Sequence, residues 1–340
     1  MRSNTLIFIG VFIVLMLLFV VNLLCGSVNI PMSDVVDTVF GNAEIGGVND
    51  VIIMSSRLPQ ATTALLSGAA LAVSGLMLQT LFTNPLADPS ILGVSSGASL
   101  GVAAVMLISG GSIYALGLFG YMAVVLAALV GAMAVLAIII LFSTKIKSNV
   151  MLLVVGIMVG YIAGSMVTLL NFNAREEGVV SYLIWGMGDF SGVSQERLPM
   201  YALFIVVGLL ISFLLIKPMN ALLLGERYSM NLGVNIRRTR IFLLLATGIL
   251  TAIVTAFCGP ISFIGLAVPH IARLVFNTSN HKILIPSTIL LGAAVALLCN
   301  LLTNVISAGE VIPLNVVTPI IGAPVIIYVI INKKKIAYFS

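Results

Sequence analysis

Asn84-Pro85-Leu86-Ala87-Asp88-Pro89 separates two long apolar runs. One extends from Leu58 to Phe82; the other opens Gly93-Val94-Ser95-Ser96-Gly97-Ala98-Ser99-Leu100-Gly101. Two prolines within five residues remove backbone donors and disfavour helix in the residues before them. The flanking runs have the length and apolarity of membrane helices. A broken backbone is tolerated there only where protein buries it, where it lines a water-filled path, or where it leaves the bilayer. The hexapeptide therefore marks an interruption between two spans.

The rest of the chain is built the same way. Of 340 residues, 60% are hydrophobic and 8% charged, whereas soluble domains average about 25% charged. This excludes a soluble globular fold and predicts an all-α polytopic membrane protein forming a single domain over residues 1–340. A span takes roughly 20 apolar residues. Ten candidates follow, at about 6–25, 57–81, 91–109, 114–142, 150–171, 198–216, 237–257, 261–277, 283–304 and 315–332. The third and eighth are short or glycine-interrupted. The first begins like a signal peptide, but no small-x-small cleavage site follows cleanly and the residue before Cys25 is large, so a retained helix is expected.

Ten spans place both termini on one side. With the N-terminus in the cytoplasm, Arg2, Lys145, Lys147, Lys217, Arg227, Arg237, Arg238, Arg240, Arg273, Lys282 and Lys333 to Lys335 face inward, and only Arg57, Arg175 and Arg197 face out. That asymmetry is the positive-inside pattern. Asp34, Asp37, Glu44, Asp50, Glu176, Glu177, Asp189, Glu196 and Glu310 fall outside, leaving Asp88 and Glu226 inside. The net charge of +5 thus reports orientation rather than nucleic-acid binding.

No Asp, Glu, Lys or Arg falls in the middle of a candidate span, and His270 is the titratable side chain of the eighth. Ion-coupled transporters carry relays at that depth and voltage sensors carry arginines, so the energy for any transport is expected to come from elsewhere. Small residues recur every fourth position at Ala64/Gly68/Ala72, Gly93/Gly97/Gly101 and Gly156/Gly160/Gly164, a spacing that lets helix backbones approach. Packing within the subunit is the first reading of these stripes; a path lining or a dimer seam is the second. No G-x-x-x-x-G-K-[ST] loop is present, so the chain is not its own ATPase. Cys25, Cys258 and Cys299 show no CxxC spacing and read as packing residues. No catalytic, metal or cofactor site is expected.

The cytoplasmic stretch 217–236 is distinctive. Leu222 to Tyr228 suits a short helix, with Gly225 and Gly233 permitting turns. Leu223, Leu224, Tyr228, Met230 and Leu232 leave apolar surface in a cytoplasmic loop, which usually marks a protein interface.

Several motifs in register resemble the permease family of iron-siderophore, haem and cobalamin ABC importers, the FecCD-like permeases. They are Arg57-Leu58-Pro59, Gly68 to Gly75 with Gln79, Asn84 to Pro89 and Leu92 to Ala98. Later come Gly259 to Arg273, similar to G-x-I-x-F-x-G-L-x-x-P-H-x-x-R, and Pro313 through Thr318 and Gly322-Ala323-Pro324. The resemblance covers nearly the whole chain. It implies a homodimer or paralogous heterodimer around a central path in the bacterial cytoplasmic membrane. Chelates would cross by alternating access, and the motifs do not select among siderophore, haem and cobalamin. It further implies two cytoplasmic ATPase subunits docked on Leu222, Leu223, Leu224, Gly225, Glu226, Arg227, Tyr228 and Met230, and a periplasmic or lipid-anchored binding protein outside. Gly156, Gly160 and Gly164 would line the path. Asn84, Pro85 and Leu86 would form a cytoplasmic gate, with Ser143 to Asn149 as neighbour. Gln60, Asn300 and Asn304 depart from charged residues common in the family, which leaves Arg57 of that set, so docking is expected to lean on Arg57, Arg175, Arg197 and apolar contacts.

Overall fold

The computed structural model describes residues 2–26, 28, 30–39, 47–110, 112–146, 148–305 and 312–331. Glu44, Lys147, Glu310 and Lys333 to Lys335, used above to orient the chain, lie outside the described residues. The helices are α1 (Arg2–Leu24), α2 (Met32–Val39), α3 (Val48–Ile52), α4 (Leu58–Phe82), α5 (Val94–Ile108), α6 (Leu118–Lys145), α7 (Asn149–Phe172), α8 (Glu176–Gly186), α9 (Leu198–Leu214), α10 (Ile216–Leu222), α11 (Glu226–Asn231), α12 (Ile236–Cys258), α13 (Ile264–Phe276), α14 (His281–Val305) and α15 (Leu314–Ile331).

Each of the ten expected spans has a helix. Six continuous helical stretches, containing α1, α4, α6, α7, α12 and α14, are long and apolar enough to cross a membrane; α9 with α10 makes a seventh, bent by 52°. The remaining three, α5, α13 and α15, are shorter apolar helices. Two of these start later than hydropathy predicts, for a local reason. Gly93 (φ 76°) ends a 3₁₀ turn over Pro89–Leu92 before α5 begins. Phe263, at φ 68°, occupies the left-handed region ahead of α13. Helices α2, α3, α8 and α11 lie outside the expected spans. In α8, Glu176 and Glu177 sit in the first turn, where carboxylates complement the helix dipole.

α4 is the central post. It is 89% buried across its apolar window, whereas α1 and α7 are 17% buried, and it packs on α14, α12, α13 and α9. The small-residue stripes explain how closely. A Cβ on Gly68 would lie 2.2 Å from Gly292 O, one on Gly75 1.8 Å from Gly265 O, and one on Gly97 2.5 Å from Gly131 O. Backbone thus touches backbone at α4–α14, α4–α13 and α5–α6. The packing reading holds for the Ala64/Gly68/Ala72 and Gly93/Gly97/Gly101 stripes.

Polar contacts gather at the two ends of the bundle. At one end Asn149 Nδ2 donates to Leu81 O and Arg240 Nη1 to Ile146 O. At the other, Tyr121 OH donates to Gly192 O and Asn315 Nδ2 to Pro260 O. The first set belongs to loops the charge asymmetry assigns to the cytoplasm and the second to loops assigned outside.

Replacing Gly68 by Val drives a side chain into the Gly292 carbonyl, and overpacking of this kind costs about 1–3 kcal/mol. The melting temperature of the detergent-solubilised chain is expected to fall with Gly68→Val. It should stay unchanged with Gly164→Ala, where no atom lies within 4 Å of the new methyl. Equal melting temperatures for the two variants would contradict the close-packing assignment.

Candidate functional site

α4 ends at Thr83, whose φ of 48° turns the chain out of the helix. Asn84 Oδ1 accepts from the Leu86 N–H at 3.0 Å, and Asn84 O accepts from the Ala87 N–H at 3.1 Å. The side chain of Asn84 therefore shapes the turn. The chain then re-enters the bundle instead of running along its surface. Asp88 caps the 3₁₀ turn by accepting from the Ser90 N–H at 3.1 Å, and Asp88 and Pro89 lie against Gly265. Gly265 in turn touches Leu71 and Gly75 of α4. Those residues sit two to three turns before Phe82, roughly 10–16 Å into the bundle. Asp88 is buried, although it lies between two candidate spans and in the middle of neither. A re-entrant loop carries the carboxylate to a depth that linear hydropathy does not register.

His270 on α13 fastens this loop. Its Nε2 donates to Pro85 O at 2.7 Å, and because a carbonyl only accepts, the proton is assigned to Nε2. One turn away, Arg273 Nη1 donates to Gln79 Oε1 at 2.6 Å, and Gln79 Nε2 donates to Leu266 O at 3.2 Å. Of the three expected gate residues, Asn84 forms the turn, Pro85 supplies the held carbonyl, and Leu86 is the one whose side chain is exposed. The sequence reading noted His270 as titratable but gave no sign of its partner, which lies 185 positions away.

On α7 the glycine reading needs correction. A Cβ on Gly156 would lie 3.1 Å from Leu92 Cα, and one on Gly160 would lie 3.6 Å from Gly93 Cα. These two glycines admit the re-entrant segment instead of lining a path. Only Gly164 of the three is open. The face of α7 that the chain leaves bare carries Val154, Met158, Tyr161, Ile162, Met166 and Leu169, at the spacing of one helix side.

The expected single helix from Leu222 to Tyr228 is instead a break between α10 and α11. Gly225, at φ 91°, adopts a conformation open mainly to glycine. Ser229 Oγ lies 2.7 Å from Ala221 O and 2.8 Å from Gly225 O and closes the two helices into a hairpin. The hairpin is rooted by Asn220, whose Oδ1 accepts from the His281 N–H and Nδ1–H, both at 2.8 Å. Leu222 is buried beneath it and Leu223 half-buried, while Leu224, Arg227, Tyr228, Met230 and Leu232 are exposed. Glu226 Oε1 accepts from Arg240 Nη2 at 3.2 Å and from Asn149 Nδ2 at 3.1 Å.

Arg57 does not face outward as expected. It is 7% exposed. Nη1 donates to Leu23 O and Leu24 O, both at 2.7 Å, and Nη2 donates to Val28 O. Gly26 gives the guanidinium room to pass. A guanidinium has five donors in a planar fork, and here the fork ties the end of α1 to the start of α4. Its charge is spent on carbonyls within the chain, so the docking assignment is withdrawn. Asn300 is likewise internal: its Nδ2 donates to Asn22 Oδ1 at 2.8 Å, joining α14 to α1. Arg175 is exposed, and Arg197 stacks 3.8 Å above the Tyr121 ring.

A clasped re-entrant loop, a span with one bare face and a cytoplasmic hairpin with bare apolar residues together describe a polytopic membrane protein with apolar surface left open on a span and on the hairpin. The model of the FecCD transport family matches residues 14–332, and the chain belongs to that family. It is 35% identical over 288 residues to the vitamin B12 import system permease protein of Citrobacter koseri, covering 84% of each chain. The corresponding protein of Escherichia coli O9:H4 is also 35% identical, over 84% of this chain and 85% of its own. A solved chain described as the inward-facing conformation of an ABC transporter of metal-chelate type superposes with a TM-score of 0.82 at 29% identity, over 97% of this chain and all of that one. The chain is a multi-pass ABC permease subunit.

Hydrogen bonds to a charged group are worth about 1.5–3 kcal/mol each. Arg57→Ala and Arg57→Glu are therefore expected to lower the melting temperature and folded yield of the isolated chain, with Arg57→Lys intermediate. An unchanged melting temperature in all three would refute the structural role.

Proposed function

We propose that this permease imports a bulky metal chelate of the cobalamin, ferric-siderophore or haem class across the bacterial cytoplasmic membrane. The observation that carries the proposal is the identity to vitamin B12 import permeases over 84% of the chain, joined to the likeness to a metal-chelate ABC transporter. In this reading the subunit works as a dimer, as homodimer or with a paralogue, and the bare face of α7 borders the path at the dimer axis. A chelate of that size passes between two subunits more readily than through one close-packed bundle. The path side of α7 is then Met158, Tyr161, Ile162 and Met166. Met side chains adapt to irregular apolar cargo.

Two ATPase subunits dock on the α10–α11 hairpin. Its exposed leucine, tyrosine and methionine side chains supply contact area, and Arg227 borders them. The chain needs no cofactor of its own, because ATP is bound and hydrolysed on the partner. A periplasmic or lipid-anchored binding protein delivers the chelate to the outer face, where Arg175, at the start of α8, replaces Arg57 as the charged contact. The bare apolar residues of α8, Val180, Leu183 and Ile184, lie beside it. Leu86 closes the cytoplasmic end while His270 holds Pro85 in place.

A soluble ATPase encoded with this chain is expected to copurify with it. Leu224→Asp combined with Tyr228→Asp should weaken that association by at least tenfold, about 1.4 kcal/mol, without lowering the melting temperature. Uptake into proteoliposomes should follow ATP for cyanocobalamin, a ferric hydroxamate or haem. Uptake that persists without the ATPase would replace this reading with ion coupling through buried Asp88.

A further inference from the structure

The cytoplasmic end holds a hydrogen-bond node that the gate and the coupling hairpin share. Arg240, on α12, is buried although its neighbours Arg237 and Arg238 are exposed. Its Nη1 donates to Ile146 O at 2.9 Å, in the turn between α6 and α7. Its Nη2 donates to Asn149 Oδ1 at 2.9 Å and to Glu226 Oε1 at 3.2 Å. Asn149 Nδ2 spends one hydrogen on Glu226 Oε1 at 3.1 Å and the other on Leu81 O at 3.0 Å. Reversing the amide would set its oxygen against the Leu81 carbonyl, so the network assigns the orientation.

These bonds join four elements. Leu81 closes α4 three residues before the gate loop begins at Asn84. Ile146 and Asn149 flank the α6–α7 turn, the second cytoplasmic gate neighbour. Glu226 opens α11 in the coupling hairpin, and Arg240 belongs to the well-buried α12. Elsewhere α4 is held by backbone-to-backbone packing at Gly68 and Gly75, which has no slack. Every bond of the node is donated by a side chain, and beside it lies an open cleft of about 820 Å³ bordered by Ser143, Thr144, Met230, Val234, Asn235 and Arg237. Space next to α11 gives the hairpin somewhere to move. The bonds give its motion two places to act.

We infer that Asn149 and Arg240 are positioning residues that carry displacement of α11 to both cytoplasmic gate elements at once. A push or pull on Glu226 is shared between the end of α4 and the turn before α7, so the two sides of the exit open together. This deepens the importer reading above and rests on it.

The test uses the full chain assembled with its copurifying ATPase in nanodiscs. Cys25, Cys258 and Cys299 are replaced by Ala or Ser, and exposed Leu86 is replaced by Cys. Labelling by a bulky maleimide is timed without nucleotide and after trapping with ATP and orthovanadate. In this parent the labelling rate is expected to change at least about threefold on trapping. Asn149→Ala should abolish the change while the partner's ATP hydrolysis rate and the melting temperature stay near parent values. Asn149→Asp keeps the acceptor for Arg240 but loses both donations and should behave like Asn149→Ala, which covers the case of poor folding in the latter. Arg240→Ala should lose the response and Arg240→Lys should recover part of it. The proposal is overturned by an unresponsive parent, by a nucleotide response that survives Asn149→Ala and Asn149→Asp, or by hydrolysis and melting temperature that fall in step with the response. If no ATPase copurifies with the unmodified chain, the importer reading itself fails before the node is put to the test.

Discussion

Backbone polar groups cannot be left unpaired in the interior of a membrane protein, and the segment after α4 has to meet that demand without a helix to do it. Two prolines remove donors, and the turn at Thr83 and Asn84 points the chain back into the bundle. The solution is local where it can be: Asn84 serves the Leu86 amide and Asp88 serves the Ser90 amide. Where it cannot be local, His270 reaches across from α13 to the Pro85 carbonyl. That reach requires α13 to lie against α4, which in turn requires Gly75 and Gly265 to meet with no side chain between them. The late start of α13, after Phe263, belongs to the same arrangement. The broken segment, the helix crossing and the clasp are therefore one requirement seen at three scales.

Three buried arginines follow a common rule. Taking a guanidinium out of water is costly unless its donors are satisfied. Arg57 and Arg240 meet the cost chiefly with main-chain and amide oxygens, and Arg273 does so with the Gln79 amide. Arg240 also pairs with the Glu226 carboxylate; the neutral partners cancel no charge, but they fix direction, because the fork accepts few geometries. Each arginine sits where an element ends: Arg57 at the α1 exit, Arg240 at the α6–α7 turn, Arg273 beside the close of α4. Their placement near the ends of spans is what the positive-inside count reads, and their use is structural.

The spans were legible because hydropathy is a property of contiguous residues, and the Gly68 and Gly97 stripes because small residues at four-residue spacing share a helix face. Family motifs singled out the loop after α4, and apolar residues in a polar stretch singled out the hairpin. What stayed hidden depends on partners far apart in the chain. Arg57 looked like an outward charge because its sequence position lies just outside a span, yet its acceptors are carbonyls, which sequence does not distinguish. Gly156 and Gly160 share a stripe with Gly164, yet a Cβ on either of the first two would meet the re-entrant segment, and one on the third would meet nothing within 4 Å among the described residues. α8 lies in a stretch too polar to register as a span. It leaves Val180, Leu183 and Ile184 exposed.

The distribution of tight and loose contacts also bears on how such a chain can move. Where backbones touch, at α4–α14, α4–α13 and α5–α6, no sliding is possible without steric overlap, and dense interiors switch between packings instead of deforming smoothly. Those helices must travel as blocks. The places able to yield are those held by side chains beside open space: the Leu86 loop, whose carbonyl anchor is a single imidazole, and the α11 end of the hairpin, held to the bundle through Glu226. Both lie on the cytoplasmic side. At the outer end the Asn315 side chain donates to Gly186 O and Pro260 O and accepts from the Ser262 N–H, and the Asp189 N–H donates to Cys258 O. A force applied at the hairpin thus meets the side-chain contacts beside the cytoplasmic cleft before it meets the close-packed helices.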